Sequence, residues 1–390
     1  MRVTLPGGRT IEVGDGSPPS VAVTLESRLW AARIALDPEL AVGEAYMAGA
    51  LRFDLGGPYE LLDLAGRNAE TRPRIQPSAF ARWRHDMVQT RNARRAASRN
   101  ARRHYDLPFD VYRRFLDADL QYSCAYFERP DESLEAAQVG KERHIAAKLL
   151  LSPGHRVLDI GCGWGGLALK LAAGAGAQVD GVTLSPAQLA VAEARGEAEG
   201  LTDRVRFSLT DYRDVAGPYD RVVSVGMFEH VGRPNYDSYF AQVRRLLADD
   251  GVALIHAIGR SDGPGVTQPW IAKYIFPGGY IPALSEALAA VERSGLIVTD
   301  VEILRLHYAE TLRAWRSRFA AARPDVAAEH GERFCRMWEF YLAASEVGFR
   351  RSGHMVFQLQ LAKRIDAVPI TRRYIRDTEQ RLREEGRIAA

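Results

Sequence analysis

The hydrophobic rhythm of the chain changes near residue 105. Beyond that point, short β-branched apolar runs alternate with stretches rich in Ala, Leu and Glu. The runs Arg156–Ile160, Gln178–Val182, Val205–Leu209, Arg221–Val225 and Val252–Ile258 read as strands. They read as near-continuous apolar strands, as expected of a sheet covered on both faces. Helices between such strands imply a parallel sheet. Ile297–Leu306 and His354–Lys363 predict two further strands flanking a long helical region. This part of the chain is expected to be a doubly wound α/β domain.

The first 80 residues follow another pattern. Val3–Leu5, a Pro6-Gly7-Gly8 turn and Thr10–Val13 predict a hairpin. Pro38–Met47 and Tyr59–Asn68 have helical composition, and Val21–Ala35 is too mixed to assign. The sequence thus divides into an N-terminal domain over 1–80, a basic linker over 81–104 and a catalytic domain over 105–390. The linker holds eight arginines against Asp86 between Arg82 and His104. Arg91, Arg95, Arg99 and Arg102 recur at helical spacing and would share one face. Such a face suits phosphate in lipid headgroups or nucleic acid, or is simply a solvated linker helix. The Tyr374–Ile388 tail reads as an exposed, solvated helix.

Composition adds exclusions more than assignments. A chain of 390 residues with 46% hydrophobic and 26% charged residues has the make-up of a globular protein of two domains. No apolar run nears the roughly 18 residues that a bilayer span needs, and the N-terminus lacks a secretory pattern, so a cytoplasmic location is expected. Cys124, Cys162 and Cys335 are too scattered for a disulfide framework or a zinc site, and no metal is expected.

The candidate chemistry begins at the first strand, where Val157-Leu-Asp-Ile-Gly-Cys-Gly-Trp-Gly-Gly166 runs into a helix. Gly161, Gly163 and Gly165 permit a tight turn and close approach of backbone to ligand. A dinucleotide site uses a similar loop, but the Gly-x-Gly-x-Gly spacing and Asp159 two residues earlier favour S-adenosyl-L-methionine. Asp211, just past the third strand, stands where an acid commonly accepts from the adenine amino group, or else caps the next helix. Both segments lie at the carboxyl ends of strands, where such sheets bind ligands.

The sequence resembles the cyclopropane-fatty-acyl-phospholipid synthase family, which includes the mycolic acid cyclopropane synthases. The resemblance rests on YDLPFDVYRRFLD (105–117), QYSCAYF (121–127), VLDIGCGWGG (157–166), GVTLSPAQLA (181–190), SVGMFEHVGRPNYDSYF (224–240), ALIHAIGR (253–260), KYIFPGGYIP (273–282) and HYAETLRAW (307–315). DPELAVGEAYMAGAL (37–51) is similar to the extra N-terminal domain of the phospholipid-modifying members. The resemblance implies a class I methyltransferase fold: a Rossmann-like doubly wound sheet with a smaller N-terminal α+β domain. It implies transfer of the sulfonium methyl to a cis double bond of a membrane phospholipid acyl chain. The resulting carbocation would be deprotonated by bound bicarbonate, closing a cyclopropane ring.

By the same resemblance, Glu229, His256, Tyr308, Ile258 and the backbone of Cys124 surround the anion. Tyr122, Ser123, Thr183, Leu184, Gln188 and Tyr212 join Asp159, Asp211 and the three glycines around the cofactor. Thr183 stands where most methyltransferases of this fold place a ribose-binding acid, and the family shows the same Thr-Leu-Ser. Taken singly, Glu229 is also suited to capping a helix and His256 to a satisfied strand end. Trp270, Tyr274, Phe276 and Tyr280, with Trp338, Phe340 and Tyr341, offer rings for an acyl tunnel or simply for packing. The expected partners are unsaturated acyl chains and, through 82–104, anionic headgroups at the inner face of the membrane, not nucleic acid. Two-domain members of the family suggest a homodimer. The same site in a lipid C-methyltransferase would give methyl-branched or methylene chains. A non-catalytic lipid- or cofactor-binding protein would have no need of Glu229, His256 and Tyr308.

Overall fold

The computed structural model describes residues 1–70 and 109–388, and its packing forms two units. The basic segment 82–104 lies outside the described residues.

The first unit starts with a four-stranded sheet. β1 (Arg2–Thr4) pairs antiparallel with β2 (Thr10–Glu12), the expected hairpin, and Gly7 and Gly8 turn the chain at φ +100° and +85°. β3 (Ala22–Leu25) runs parallel to β1, and β4 (Leu51–Leu55) antiparallel to β3. The mixed stretch 21–35 proves to be two elements. β3 ends before Ser27, whose hydroxyl accepts from Leu29 N at 3.2 Å and starts helix Arg28–Leu36. Helices Pro38–Met47 and Pro58–Glu70 follow the predicted composition.

The packing does not follow the linear division at 80 and 105. Thr267–Pro277 and Ala309–His354 pack with the N-terminal residues. Gly43 shows why: a Cβ there would lie 2.5 Å from Trp270 Nε1, so the helix backbone sits directly on the indole. Trp270 is in turn set edge-on to Phe340 at 4.7 Å.

The second unit is built on seven strands: β5 (Arg156–Ile160), β6 (Gln178–Thr183), β7 (Val205–Leu209), β8 (Tyr219–Val225), β9 (Leu247–Arg260), β10 (Ile297–Leu304) and β11 (His354–Ala362). Their order is β10-β11-β9-β8-β5-β6-β7. β5 through β9 pair in parallel, and β10 and β11 are antiparallel to each other. This is the doubly wound sheet expected from the sequence. The order reverses at β5, which places the ligand crevice beyond the carboxyl ends of β5 and β8.

The C-terminal tail corrects the sequence reading. Helix Arg373–Glu384 buries Ile375 and Leu382, and Ile388 is only 4% exposed. A Cβ on Gly174 would meet Ile388 at 2.3 Å, and Arg143 donates to the Ile388 carbonyl at 3.1 Å. Three apolar side chains widely spaced among charges suffice to dock a helix whose other face stays solvated.

Candidate active site

The glycine turn leaves β5 with Gly161, Gly163 and Gly165 all at positive φ. At Gly165 the need is twofold, since φ is +85° and a Cβ would come within 2.7 Å of the Phe207 ring. Helix Gly166–Ala175 then begins without a side-chain cap, which leaves its first turn open to an anion or dipole. Asp159 is buried, and its Oδ2 has no partner. Burial pushes this carboxyl up to about 7, against the opposing pull of Lys141. An orphaned buried carboxylate oxygen is costly, and an ammonium from a ligand would remove the cost.

At the end of β6, Thr183 Oγ1 donates to Gln188 Oε1 at 2.9 Å and accepts from Ser185 N at 3.2 Å. Ser185 in turn caps the next helix through Gln188 N. The Thr-Leu-Ser and Gln188 are thus one buried network, with Leu184 between its parts. Asp211 takes the capping role: it accepts from Arg213 N at 3.1 Å and binds the Arg213 guanidinium at 2.8 Å. Tyr212 beside it sits edge-on to Tyr239 at 5.4 Å.

The candidate reaction centre lies past β8 and β9. Gly226 breaks β8 at φ +67°, and a single turn at Phe228–His230 carries Glu229 back over the strand ends. Glu229 Oε1 accepts from Ile258 N at 2.5 Å, whereas Oε2 is buried without a partner. Burial raises this carboxyl to about 7, the Ile258 N–H pulling the other way, so it is poised between acid and carboxylate at neutral pH. Ile258 therefore enters through its backbone, as a strut for Glu229.

His256 pairs in register with Val225 on β8 and is 2% exposed. Its Nδ1 faces Gln358 Nε2 at 3.2 Å, and its Nε2 has no partner. Burial, then the nearby Lys141 charge, lower the imidazole to about 3, so it is neutral. With the Gln358 amide donating to Nδ1, the ring proton sits on Nε2 and is available to a ligand. Gln358 Oε1 is likewise an orphan. Sequence reasoning missed Gln358, although two glutamines in the otherwise apolar β11, Gln358 and Gln360, were a visible signal: each needs a buried partner.

Cys124 is buried and its thiol donates to the Ala125 carbonyl at 3.3 Å. Tyr122 packs edge-on to Tyr112 at 5.1 Å, and Ser123 accepts from Lys141 at 2.9 Å. Tyr308 is buried at the start of helix His307–His330. The aromatic candidates separate. In the first unit Trp270 packs on Phe340, Phe276 on Tyr341, and Tyr274 donates to buried Glu44 at 2.8 Å. In the second, Tyr280 donates to Glu286 at 2.8 Å. Trp338 stacks on Phe334 at 6.1 Å.

The family model described as mycolic acid cyclopropane synthetase matches residues 92–359. The chain belongs to this family. It is 44% identical over 263 residues to the cyclopropane-fatty-acyl-phospholipid synthase of Escherichia coli K12, covering 67% of each chain. The tuberculostearic acid methyltransferase of Mycobacterium tuberculosis is 38% identical over 384 residues, 93% of this chain and 88% of that one. Among solved structures, the mycolic acid cyclopropane synthase CmaA1, complexed with SAH and CTAB, superposes with a TM-score of 0.64 at 34% identity, over 68% of this chain and 97% of that one. A coclaurine N-methyltransferase bound to SAH, at 20% identity and a TM-score of 0.67, shares the fold. This member of the family is an S-adenosylmethionine-dependent methyltransferase with the class I fold. No helix among its described residues is long and apolar enough to cross a membrane.

Proposed function

We propose that this enzyme transfers the methyl carbon of S-adenosylmethionine to the cis double bond of an unsaturated phospholipid acyl chain and closes a cyclopropane ring. The supporting observation is the set of unpaired buried atoms Glu229 Oε2, His256 Nε2 and Gln358 Oε1 around the ends of β8 and β9. An alkene is a weak nucleophile, and its methylation leaves a carbocation that must lose a proton from the new methyl group. Of the three protein groups, His256 is held neutral with its proton on Nε2 and the Gln358 amide is not a base, while Glu229, raised to about 7, can share a proton with a bound anion. They suit a small anion that both accepts and donates. Bicarbonate fits this donor set, and when bound it would supply the base.

His256 would donate from Nε2 to that anion, and Glu229 would share a proton with it, while Ile258 N keeps Glu229 from rotating away. Tyr308 and the Cys124 backbone complete the surround by family resemblance. Asp159 would meet the cofactor's ammonium, the glycine turn its amino-acid end, Thr183 and Gln188 its ribose, and Asp211 with Tyr212 its adenine. Burial of Glu229, His256, Gln358, Tyr308 and Cys124 excludes water, which would otherwise capture the cation.

A second reading is favoured by one finding. The relative aligned over 93% of this chain is a tuberculostearic acid methyltransferase, and a differently placed base would give a methyl-branched or methylene chain from the same cation. Incubation with S-adenosylmethionine, bicarbonate and vesicles of unsaturated phospholipid, followed by NMR of the acyl chains, decides. Cyclopropane ring protons support the first reading, branched or methylene signals the second, and no lipid product contradicts both. For access to the bilayer, the arginines of 82–104 would meet anionic headgroups at the inner face of the membrane. Vesicle binding should then weaken with salt and on replacing Arg91, Arg95 and Arg99; binding indifferent to both would exclude that contact.

A further inference from the structure

Residues 120–127 carry Tyr122, Ser123 and Cys124 to the site, yet they form no helix or strand. What fixes them is one face of helix Leu134–Lys148, where Gln138, Lys141 and Glu142 fall at helical spacing. Gln138 Nε2 donates to the carbonyls of Gln121 at 3.2 Å and Ser123 at 3.1 Å. Lys141 Nζ donates to Gln121 Oε1 at 2.6 Å and to Ser123 Oγ at 2.9 Å. Gln121 Nε2 reaches Glu142 Oε1 at 2.7 Å. The side-chain amide of Gln121 is thereby held in one orientation, with its oxygen on the ammonium and its nitrogen on the carboxyl group.

Lys141 is fully buried. Burying an ammonium is costly, and the carboxyl groups of Glu142, Asp117 and Asp119 nearby offset part of that cost. The two side-chain oxygens that Lys141 holds both belong to the segment leading into the site. Its charge also reaches Asp159, Cys124 and His256, the groups that border the cofactor and the anion.

We propose that Lys141 is a positioning residue of the active site: with Gln138 it locks Gln121 and Ser123, so that Tyr122 and Ser123 meet the cofactor and the Cys124 backbone faces the anion. This rests on the assignment of Tyr122 and Ser123 to the cofactor made above.

The test uses the full chain, with S-adenosylhomocysteine affinity measured by calorimetry beside thermal unfolding. Lys141→Met should raise the Kd roughly tenfold, measured well below an unfolding temperature that itself falls, because Asp117, Asp119 and Glu142 lose their buried counter-charge. In a double-mutant cycle with Ser123→Ala, the second change should cost almost nothing once Lys141 is gone, because the two act through one contact. Wild-type affinity in Lys141→Met, or full additivity with Ser123→Ala, would overturn the inference. If Lys141→Met does not fold, Gln138→Leu decides by the same affinity criterion, a tenfold loss supporting the lock and unchanged affinity refuting it. Failure of the wild-type chain itself to bind S-adenosylhomocysteine would instead sink the cofactor assignment.

Discussion

His144 and His256 are both buried in the α/β unit, and their ring nitrogens are treated in opposite ways. His144 places Nε2 2.9 Å from Glu302 and Nδ1 2.5 Å from Glu379, and its face stacks on Tyr126 at 4.2 Å. Both nitrogens can donate only from the imidazolium. Burial opposes that charge, but the bonds to the two carboxylates outweigh it and raise the group above its ordinary value. Lys148 pairs with Asp300 at 3.1 Å and also with Glu302. His256 has one amide and one empty nitrogen, and burial drives it toward neutrality. A cavity of about 710 Å³ opens beside His144, yet its carboxylates Glu128, Glu302 and Glu379 already have cationic partners. Concavity alone is therefore a poor guide in this molecule. At Glu229, His256 and Gln358 the unpaired buried polar atoms gather at the strand ends, and that grouping is the better guide.

The sharpest way to break the contrast is at Glu229. Glu229→Gln should lower turnover on lipid roughly a hundred- to thousandfold and leave S-adenosylhomocysteine affinity within about twofold, read by product analysis and calorimetry. His144→Ala should do the reverse. Removing the centre of a buried ionic cluster should cost about 3 kcal/mol of stability in denaturant unfolding, with cofactor affinity retained.

Gln358→Leu probes a finer point. Without the amide on Nδ1, the proton of His256 is no longer confined to Nε2. Turnover should fall roughly tenfold, and nitrogen NMR of the ring should show a changed tautomer ratio, a readout that lost packing alone would not produce. The smallest effects are in pH. Glu229 titrates at about 7, so the KM for bicarbonate should rise as pH passes upward through that value and the carboxylate repels the anion. That inflection should vanish in Glu229→Gln. His144 has its pKa raised on folding, so its stabilisation is complete below about 6.5 and is lost as pH climbs through the higher folded value. His144→Ala should flatten that alkaline decline in unfolding free energy.

The central strands were legible because they are buried on both faces, so apolar composition marks Arg156–Ile160 at its observed bounds, and at the sheet edge Val205–Leu209 shows through its alternation of apolar and polar residues. The stretch 21–35 was not, because a strand and a helix share it and the hydrophobic period changes at Ser27. The C-terminal helix misled because Ile375, Leu382 and Ile388 are outnumbered by charges, although three anchors decide the docking. At the site, the positions of Glu229 and His256 followed from their places after β8 and within β9. Their orphaned atoms did not, since satisfaction is a property of neighbours distant in sequence: Ile258 for one and Gln358 for the other. The same holds for Lys141, whose partners lie about twenty residues earlier and have no periodic pattern to announce them.

A crystal structure of the S-adenosylhomocysteine complex grown with bicarbonate examines the central claim most directly. The account predicts a trigonal anion within hydrogen-bond reach of Glu229 Oε2 and His256 Nε2. The orphaned atoms closed by rearranged side chains, or the anion bound elsewhere with these atoms still unpaired, would contradict it.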